Sequence, residues 1–266
     1  MRMRKVLIGV AAVAVVVLGA VGVDFGASIY AEYRLSTSVR KAANLSSDPF
    51  VAILGFPFIP QAMRDRYDEL EIKAYAIDHS TVGTATLEAT MHSIDLSHAS
   101  WLIQPEARLS VHELESRIII DSMHLGRYLG MADLMVQAPP QESNDATGGT
   151  TESGISGSHG LVFSGTPKSA NFDRRVSVAV DLSIDPHSRD TLVITPTRVV
   201  TGPDTADQPV PDDKREAVLH AFGSRLPNQK LPFGVAPTTV GARGSDVIIE
   251  GITYDVTVAL TGFRQS

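Results

Sequence analysis

The N-terminal apolar run is the feature that most constrains this chain. Residues 6–23 carry no charged or polar side chain, and Arg2, Arg4 and Lys5 come directly before them. In a helix, these 18 residues extend about 27 Å, which nearly crosses a hydrocarbon layer of about 30 Å. Because basic residues stay on the cytoplasmic side, we expect everything after Asp24 to lie on the outer side of a membrane.

The same run allows two processing outcomes. A secretory signal peptide has a basic start, an apolar stretch of about 7–15 residues and a small-residue cleavage site. Here the apolar stretch is longer, and residues 26–28 (GAS) offer only a weak cleavage sequence. We expect residues 1–27 to form an uncleaved signal-anchor in the plasma membrane. The alternative is a cleaved signal and a body released to the periplasm.

The composition of the exported body excludes several functional classes. The chain has 266 residues, and the body, residues 28–266, is long enough for one large domain or two small ones. The net charge is −7, and the body without its basic N-terminus is more acidic still, which disfavours a nucleic-acid partner. The chain has no cysteine, which excludes thiolate metal sites and thiol catalysis.

Alternating apolar and polar residues predict antiparallel strands with one buried face. The clearest alternation has five apolar positions: Val176, Val178, Val180, Leu182 and Ile184. Further strands are predicted at five places: around residues 70–76, 86–92 and 252–260, and at the apolar triplets 118–120 and 192–194 of the chain. Most of these strands are joined without a helical crossover, so an α+β fold fits better than a parallel α/β sheet.

Four helices are predicted outside the apolar run: residues 28–44, 60–67, 122–135 and 212–226. The first has an apolar residue at every fourth position, which would give it one buried face: Ala31, Leu35, Val39 and Ala43. In the last, Asp213 and Glu216 resemble a capping box. Residues 138–160 are rich in Gly, Ser, Thr and Pro, and we expect them to form a flexible low-complexity loop.

The sequence contains no convincing catalytic or metal-binding motif. It has no HExxH, no GxSxG and no P-loop. His92, Asp95 and His98 are close in sequence, but on a regular strand Asp95 would face away from both histidines. Ser93, Asp95 and His98 are the residue types of a catalytic triad, yet geometry rather than spacing defines a triad. We interpret all of them as polar strand residues, and predict no enzyme, no cofactor and no metal site.

Two apolar, proline-containing segments lie where connections between elements are expected: FPFIP at 56–60 and LPFGV at 231–235. Connections usually run over the surface. The segments therefore either fill the core of a curved sheet or form the mouth of a hydrophobic groove for an acyl chain. The predicted lipid-binding residues of such a groove are Phe56, Phe58, Met63, Leu125, Leu129, Phe222, Leu226 and Phe233.

The same segments resemble a known family. Residues 51–61 (VAILGFPFIPQ), followed by Tyr67 and the strand 70–74 (LEIKA), are similar to the opening motif of the LmeA-like phospholipid-binding family of actinobacterial envelope proteins. Residues 231–235, with the later run 248–251 (IIEG), resemble the closing motif of that family. The resemblance spans about residues 28–262, and residues 55–58 (GFPF) are a fairly specific element of it.

The resemblance implies a fold related to the tubular lipid-binding (TULIP) class. In that fold a long, curved antiparallel sheet wraps around one or more helices and encloses an apolar cavity. The family also implies a phospholipid or related envelope lipid as partner, and a link to the upkeep of mannose-containing glycolipids. It supplies no catalytic residues, and the insertion at 138–160 departs from its pattern.

Taken together, these observations predict an exported, membrane-tethered, non-enzymatic lipid-binding protein of the cell envelope. A groove could hold an acyl chain without charged contacts, because each buried CH₂ group contributes about 0.8 kcal/mol. The alternative hypothesis is a non-catalytic assembly or stabilising partner of an enzyme that synthesises envelope glycolipids. An envelope hydrolase is disfavoured because the motifs are missing.

Overall fold

The computed structural model describes residues 2–138 and 156–264, with side chains from residue 7 onward. Its helices are α1 (Arg2–Ala43), α2 (Phe58–Met63), α3 (Ser122–Leu129) and α4 (Asp212–Phe222). Its strands are β1 (Phe50–Leu54), β2 (Arg66–His79), β3 (Gly83–Asp95), β4 (Arg108–Ile120), β5 (Met135–Gln137), β6 (Leu161–Gly165), β7 (Val176–Ile184), β8 (Leu192–Val200), β9 (Ser224–Leu226), β10 (Thr239–Arg243) and β11 (Asp246–Ala259).

The strands form two sheets. The six-stranded sheet has the order β1-β2-β3-β4-β11-β10, and the five-stranded sheet has the order β5-β6-β7-β8-β9. Antiparallel pairing joins β1 to β2, β10 to β11, and each neighbouring pair of the five-stranded sheet. Long antiparallel sheets with a preceding apolar helix are consistent with a TULIP-like arrangement, and the predicted α+β class is confirmed.

Contacts group the chain into two compact units. Unit 1 comprises Met1–Lys73, Thr90–Leu114 and Tyr254–Phe263. Unit 2 comprises Ala74–Ala89, Glu115–Thr253 and Arg264–Ser266. Each unit is therefore assembled from stretches that are far apart in the sequence.

The N-terminal apolar run and the predicted helix after it form one continuous helix, α1. Its 42 residues extend about 63 Å. By length and composition, α1 can cross a membrane, and its apolar part is almost entirely exposed within the protein. Nothing interrupts the helix between the two predicted segments, because no proline or turn sequence stands there.

The second half of α1 packs on unit 1, against β1, α2 and the turn Leu260–Gly262. The predicted apolar stripe is confirmed, since each of its members is at most 6% exposed: Ala31, Leu35, Val39 and Ala43. Polar residues of α1 beside the stripe also make contacts. Ser36 donates to the carbonyl oxygen of Pro49 at 2.6 Å, and Arg40 pairs with Asp48 at 2.6 Å. Hydrogen bonds and apolar packing together attach this half of the helix to the sheet.

The other helices are shorter than predicted. Helix α2 ends before Asp65, whose φ of 52° is left-handed, and β2 begins directly afterwards. Helix α3 ends at Gly130, which adopts the left-handed C-terminal conformation that glycine favours (φ 73°). Helix α4 ends at Gly223, whose backbone is extended. In each case, a change of local backbone conformation ends the helix before the apolar periodicity does.

The predicted capping box of α4 is wrong. Pro211 occupies the N-cap position, and no side chain caps the helix there. Asp213 instead lies in the first turn, where its negative charge is favourable beside the positive end of the helix dipole.

The predicted strands are present, and several are longer than their alternating patterns. Three strands each contain one non-glycine residue with a left-handed φ of 52°: Ala76 in β2, Ser93 in β3 and Asp255 in β11. Such residues interrupt the regular pleat and shift the alternation of faces. In the strand predicted around residues 252–260, Tyr254 alternates in step with the apolar Ile252 and Val256, yet it is exposed.

Most of the predicted low-complexity loop, residues 139–155, lies outside the described residues. Its last part is attached to unit 2. The amide and hydroxyl groups of Ser156 both donate to the carbonyl oxygen of Ala242, at 2.9 and 2.8 Å. The amide of Gly160 donates to Asp181 at 2.8 Å.

Candidate functional site

A junction in unit 1 joins the end of the apolar part of α1 to α2. The backbone amides of Phe58 and Ile59 donate to the carboxylate of Asp24, at 2.8 and 2.7 Å. Amides in the first turn of a helix have no acceptor within the helix, and the N-cap residue here, Pro57, has no side-chain acceptor for them. Asp24 therefore caps a helix that begins 34 residues later in the chain.

The turn before α2 depends on a glycine and a glutamine. Gly55 has a φ of +101°, and a Cβ atom there would lie 2.8 Å from the side-chain nitrogen of Gln61. That nitrogen donates to the carbonyl oxygen of Gly55 at 2.8 Å, and the side-chain oxygen of Gln61 accepts from the amide of Asp68 at 2.9 Å. Gln61 thus ties the turn to β2, and the Phe56–Pro57 peptide bond within the turn is cis.

The two phenylalanines of this turn have opposite environments. Phe58 is buried, stacks on Tyr67 at 5.6 Å between ring centroids, and meets Trp101 edge-on at 6.3 Å. Phe56 is 64% exposed and stacks on Phe25 of α1, which is 56% exposed, at 5.8 Å. One ring anchors α2 in the core, and the other stays at the surface.

Tyr67 fixes the position of the tryptophan. Its hydroxyl group donates to the carbonyl oxygen of Trp101 at 2.6 Å. Burial raises the pKa of Tyr67 far above its usual value, so the hydroxyl group remains a neutral donor. The wall formed by Phe58, Tyr67 and Trp101 is therefore held by stacking and by a hydrogen bond.

Two depressions open beside this wall. The first has a volume of about 270 Å³ and is bounded mainly by carbon atoms of Ala27, Phe58, Ile59, Ala62, Met63 and Trp101. The second, of about 380 Å³, lies between α1 and the turn, and its lining includes Phe25, Ile29, Leu54 and Phe56. The two acidic side chains in its lining already accept hydrogen bonds from backbone amides. Asp24 caps α2, and Glu32 accepts from the amide of Ile53 at 3.0 Å.

A polar rim borders α2. Gln61, Arg64, Arg66 and Asp68 line a third depression of about 350 Å³. Arg64 also donates to the carbonyl oxygen of Pro60 at 2.9 Å. The junction thus combines apolar depressions with polar groups on and beside the same short helix, and apolar pockets with a few polar groups are typical of ligand sites.

The predicted lipid-binding residues divide between the two units. Three lie around α2 in unit 1: Phe56, Phe58 and Met63. Five belong to unit 2: Leu125, Leu129, Phe222, Leu226 and Phe233. Of these five, Leu125, Phe222 and Leu226 are fully buried, and the other two are half-buried. None of the five lines the open depression of about 650 Å³ that unit 2 carries around Phe172, Val210 and Lys214.

Sequence reasoning missed Asp24, Phe25, Ala27 and Trp101 as parts of the site. A signal was present for Asp24, because it is the first charged residue after the apolar run. A charged residue there can end a membrane span and also make a specific contact, and Asp24 makes such a contact with α2. Trp101 is the only tryptophan of the chain, but it lies far in sequence from the motif it supports.

The polar residues considered for catalysis form ordinary local contacts. Asp95 accepts from the amide of Ser97 at 2.7 Å, a turn contact that lowers the pKa of Asp95. His92 lies 3.8 Å from Glu69 on β2. His92 and Asp95 lie on β3, as predicted, whereas His98 lies in the turn that follows the strand.

The comparison with protein families identifies the group to which this site belongs. The family described as LmeA-like phospholipid-binding matches residues 22–252. The chain belongs to this family. The match confirms the resemblance found in the two apolar segments, and it begins before Asp24, so that it includes the whole junction. No curated protein and no solved structure matches the chain.

The closing motif of the LmeA-like chain has a structural role in unit 2. Leu231, Pro232 and Val235 are buried. A Cβ atom on Gly251 would lie 2.2 Å from the carbonyl oxygen of Ala236 and 2.8 Å from Leu231. Glycine on β11 therefore permits the segment to pack directly on the strand. This second segment fills the core, which is one of the two outcomes considered for it.

Unit 2 also contains a cluster of buried charges that sequence reasoning missed. Arg117 on β4 contacts Glu250 on β11 and Glu115 on its own strand. Arg243 on β10 lies 3.4 Å from Glu88 on β3. Burial alone would lower the pKa of Arg117, but the facing carboxylates raise it, so the guanidinium group stays charged. Apart from Glu115, the charged residues that join Arg117 in this cluster come from other strands, and no local pattern could have predicted the cluster.

Proposed function

We propose that this chain is a membrane-tethered, non-enzymatic protein of the cell envelope that binds phospholipid through its acyl chains. Membership of the LmeA-like family supports phospholipid binding. The observation that carries the finer proposal is the apolar depression beside α2. Its lining contains Met63, which is 80% exposed, and the half-exposed Trp101, although large apolar side chains are costly to leave in water.

The volume of this depression limits what it can hold. About 270 Å³ is slightly below the range of about 300–1,000 Å³ typical of sites for drug-sized ligands. It therefore suits part of one acyl chain rather than a whole phospholipid. If about four CH₂ groups are buried there, the gain is roughly 3 kcal/mol, so binding is weak unless lipid is abundant nearby.

Tethering meets that requirement. We propose that α1 spans the plasma membrane and holds the site on the extracytoplasmic side. A tether raises the effective concentration of bilayer lipid at the site without any additional contact. The alternative of a cleaved signal is less compatible with the fold, because cleavage near residues 26–28 would remove Asp24 and Phe25 and leave the first turn of α2 uncapped.

For direct lipid contact we propose Phe56 and Met63, with Phe58 as a wall of the depression. The five residues of unit 2 stay a prediction. Phe58 is too deeply buried to test by a charged substitution, because loss of folding would result. Met63 is the sharper choice.

The test is native mass spectrometry of the full chain extracted into a mild detergent. We expect the wild type to retain phospholipid and Met63→Asp to retain several-fold less. Met123→Asp is the matched control, because Met123 is a similarly exposed helical methionine on α3 in unit 2. Absence of phospholipid from the wild type, or equal loss in both variants, would contradict the proposal.

The role as a non-catalytic partner of a glycolipid-synthesising enzyme is a separate hypothesis. It predicts that crosslinking in cells captures one specific protein neighbour. Failure to capture a reproducible neighbour would remove this hypothesis without affecting lipid binding.

A further inference from the structure

The surface of the junction exposes an unusual set of large apolar side chains. Five of them, between 41% and 80% exposed, come from α1, the end of β1, the turn and α2: Phe25, Ile29, Leu54, Phe56 and Met63. Together they line or border the two depressions described above. We call these five residues the junction face. Apolar surface of this kind, when clustered, marks a contact site for another molecule.

The position of the junction face along α1 indicates its partner. At 1.5 Å per residue, Phe25 lies about 3 Å and Ile29 about 9 Å beyond the end of the apolar run at Val23. The headgroup region on each side of a bilayer is roughly 5–8 Å thick. If residues 6–23 span the hydrocarbon layer, the junction face begins within the headgroup region. Large apolar side chains such as those of Phe25 and Phe56 are typical of surfaces that bury an apolar face at the boundary between headgroups and acyl chains.

The contacts of Asp24 hold the rest of the junction face beside the part of α1 that carries Phe25 and Ile29. This buried carboxylate holds the first turn of α2 against α1, and the stacking of Phe25 on Phe56 holds the preceding turn. Gln61 in turn attaches the turn to β2. The turn and α2 therefore cannot move away from the helix without breaking several contacts at once.

The charges next to α2 neither attract nor repel an anionic surface strongly. Arg64 and Arg66 are exposed there, and Asp65 and Asp68 offset them, so these four residues have no net formal charge. The carboxylates of Asp24 and Glu32 are engaged with backbone amides. Contact with a bilayer would thus be driven by apolar burial, and it should depend little on salt.

We infer that the junction face lies in the outer-leaflet interface of the bilayer that α1 crosses, and that lipid reaches the apolar depression there. Ala27, about 6 Å beyond Val23 along α1, lines that depression, so its wall begins at headgroup level. An acyl chain could then enter without crossing water. This inference rests on the proposed lipid binding and names the surface through which it occurs.

The chain contains no cysteine, which makes single-cysteine labelling direct. We propose Phe56→Cys and Met63→Cys, each labelled with an environment-sensitive fluorophore, in the full chain reconstituted in vesicles of phosphatidylcholine and phosphatidylglycerol. Ser47→Cys is the control. Ser47 is exposed and follows the end of α1, whose last residue lies about 27 Å beyond Phe25 along the helix axis.

We expect both junction labels to show blue-shifted emission, strong quenching by nitroxide-labelled lipids and several-fold less quenching by aqueous iodide than the Ser47 label. These differences should persist at high salt. The emission of Trp101, the only tryptophan, verifies that each variant is folded. Equal iodide quenching at all three positions in folded, membrane-inserted protein would overturn the inference.

The two proposals fail in different ways. If the protein retains phospholipid but the junction labels are exposed to water, the lipid-binding proposal stands and the membrane contact of the junction face is contradicted. Membrane-embedded labels without any retained phospholipid would support the contact surface and count against the lipid-binding function.

Discussion

The two apolar segments, residues 56–60 and 231–235, look alike in sequence but differ in the structure. Both combine proline with phenylalanine and aliphatic residues. In the first, Phe56 is largely exposed and stacks on an equally exposed ring of α1. In the second, Leu231 is fully buried and packs against β11 where a glycine leaves room.

This difference shows that the surroundings of an apolar segment, rather than its composition, decide its role. The first segment is held at the surface by Asp24 and Gln61, which satisfy its backbone and leave Phe56 in solvent. The second is drawn into the core because Gly251 permits close approach. Only the first is therefore a candidate contact surface, and four predictions test the contrast.

The largest effect should come from truncating one apolar residue in each segment. Leu231→Ala removes a fully buried side chain, and we expect it to lower the free energy of unfolding by about 2–5 kcal/mol. Phe56→Ala should change it by about 0.5 kcal/mol or less, because the ring is mostly exposed. Urea unfolding of the full chain in detergent, followed by circular dichroism, measures both. Similar losses in the two variants would contradict the contrast.

A second effect concerns the glycine that permits burial of the second segment. Gly251→Ala places a Cβ atom 2.2 Å from the backbone oxygen of Ala236, and the required shift should cost about 1–3 kcal/mol. Gly26→Ala is the matched control, since no atom lies within 4 Å of its added Cβ and alanine favours the helix. The same unfolding assay applies. A neutral result for Gly251→Ala would mean that the segment does not depend on this close approach.

A third effect should follow from removal of the cap that holds the first segment. Asp24→Ala leaves the amides of Phe58 and Ile59 without their acceptor, and we expect a cost of about 1 kcal/mol. Asp24→Asn retains an acceptor oxygen and should lose less. Hydrogen exchange of these two amides reports the change directly, with faster exchange in Asp24→Ala. Unchanged exchange in that variant would show that α2 does not need the contact.

The smallest effect is a pH dependence in unit 2. Burial lowers the pKa of His79, whose Nδ1 atom accepts from the amide of Thr81 at 3.1 Å. The unfolded chain therefore binds a proton at this residue more readily than the folded chain does. The contribution of neutral His79 to the free energy of unfolding is fully present above the unfolded pKa of about 6.5, and it decreases as the pH falls below that value.

When the pH is lowered from about 7.5 to about 5.5, we expect the free energy of unfolding to fall less in His79→Gln than in the wild type. Comparison of the urea midpoints of the wild type and the variant at both values measures the difference. If the two proteins lose the same stability on acidification, another group is responsible for the dependence.

Much of the fold could be predicted because the relevant signals are local. The stripe from Ala31 to Ala43 and the alternation in β7 follow from the periods of a helix and a strand. Helix ends were less predictable, since Asp65 and Gly130 stop α2 and α3 through backbone conformations that the apolar pattern does not show. The left-handed residues within β2, β3 and β11 escaped prediction for the same reason.

The candidate site could be predicted only in part. The motif at 55–61 pointed to the turn before α2, and Phe56, Phe58 and Met63 lie in or beside that turn and helix. The other half of the junction comes from α1 and from Trp101, which are distant in sequence. Of the predicted residues of unit 2, four were chosen by helical spacing and Phe233 by its apolar segment, and neither signal can distinguish a groove from a core.

The sequence by itself determined the apolar N-terminal helix, the antiparallel strands and the family, because periodicity, composition and short motifs act over a few residues. Only the tertiary structure decided that α1 is continuous with the fold, that Asp24 caps α2 and that Phe56 of one apolar segment stays exposed while Leu231 of the other is buried. The physical reason is that hydrogen bonds and close packing depend on which distant residues meet. The contact of Asp24 with Phe58 spans 34 residues, and no local pattern records it.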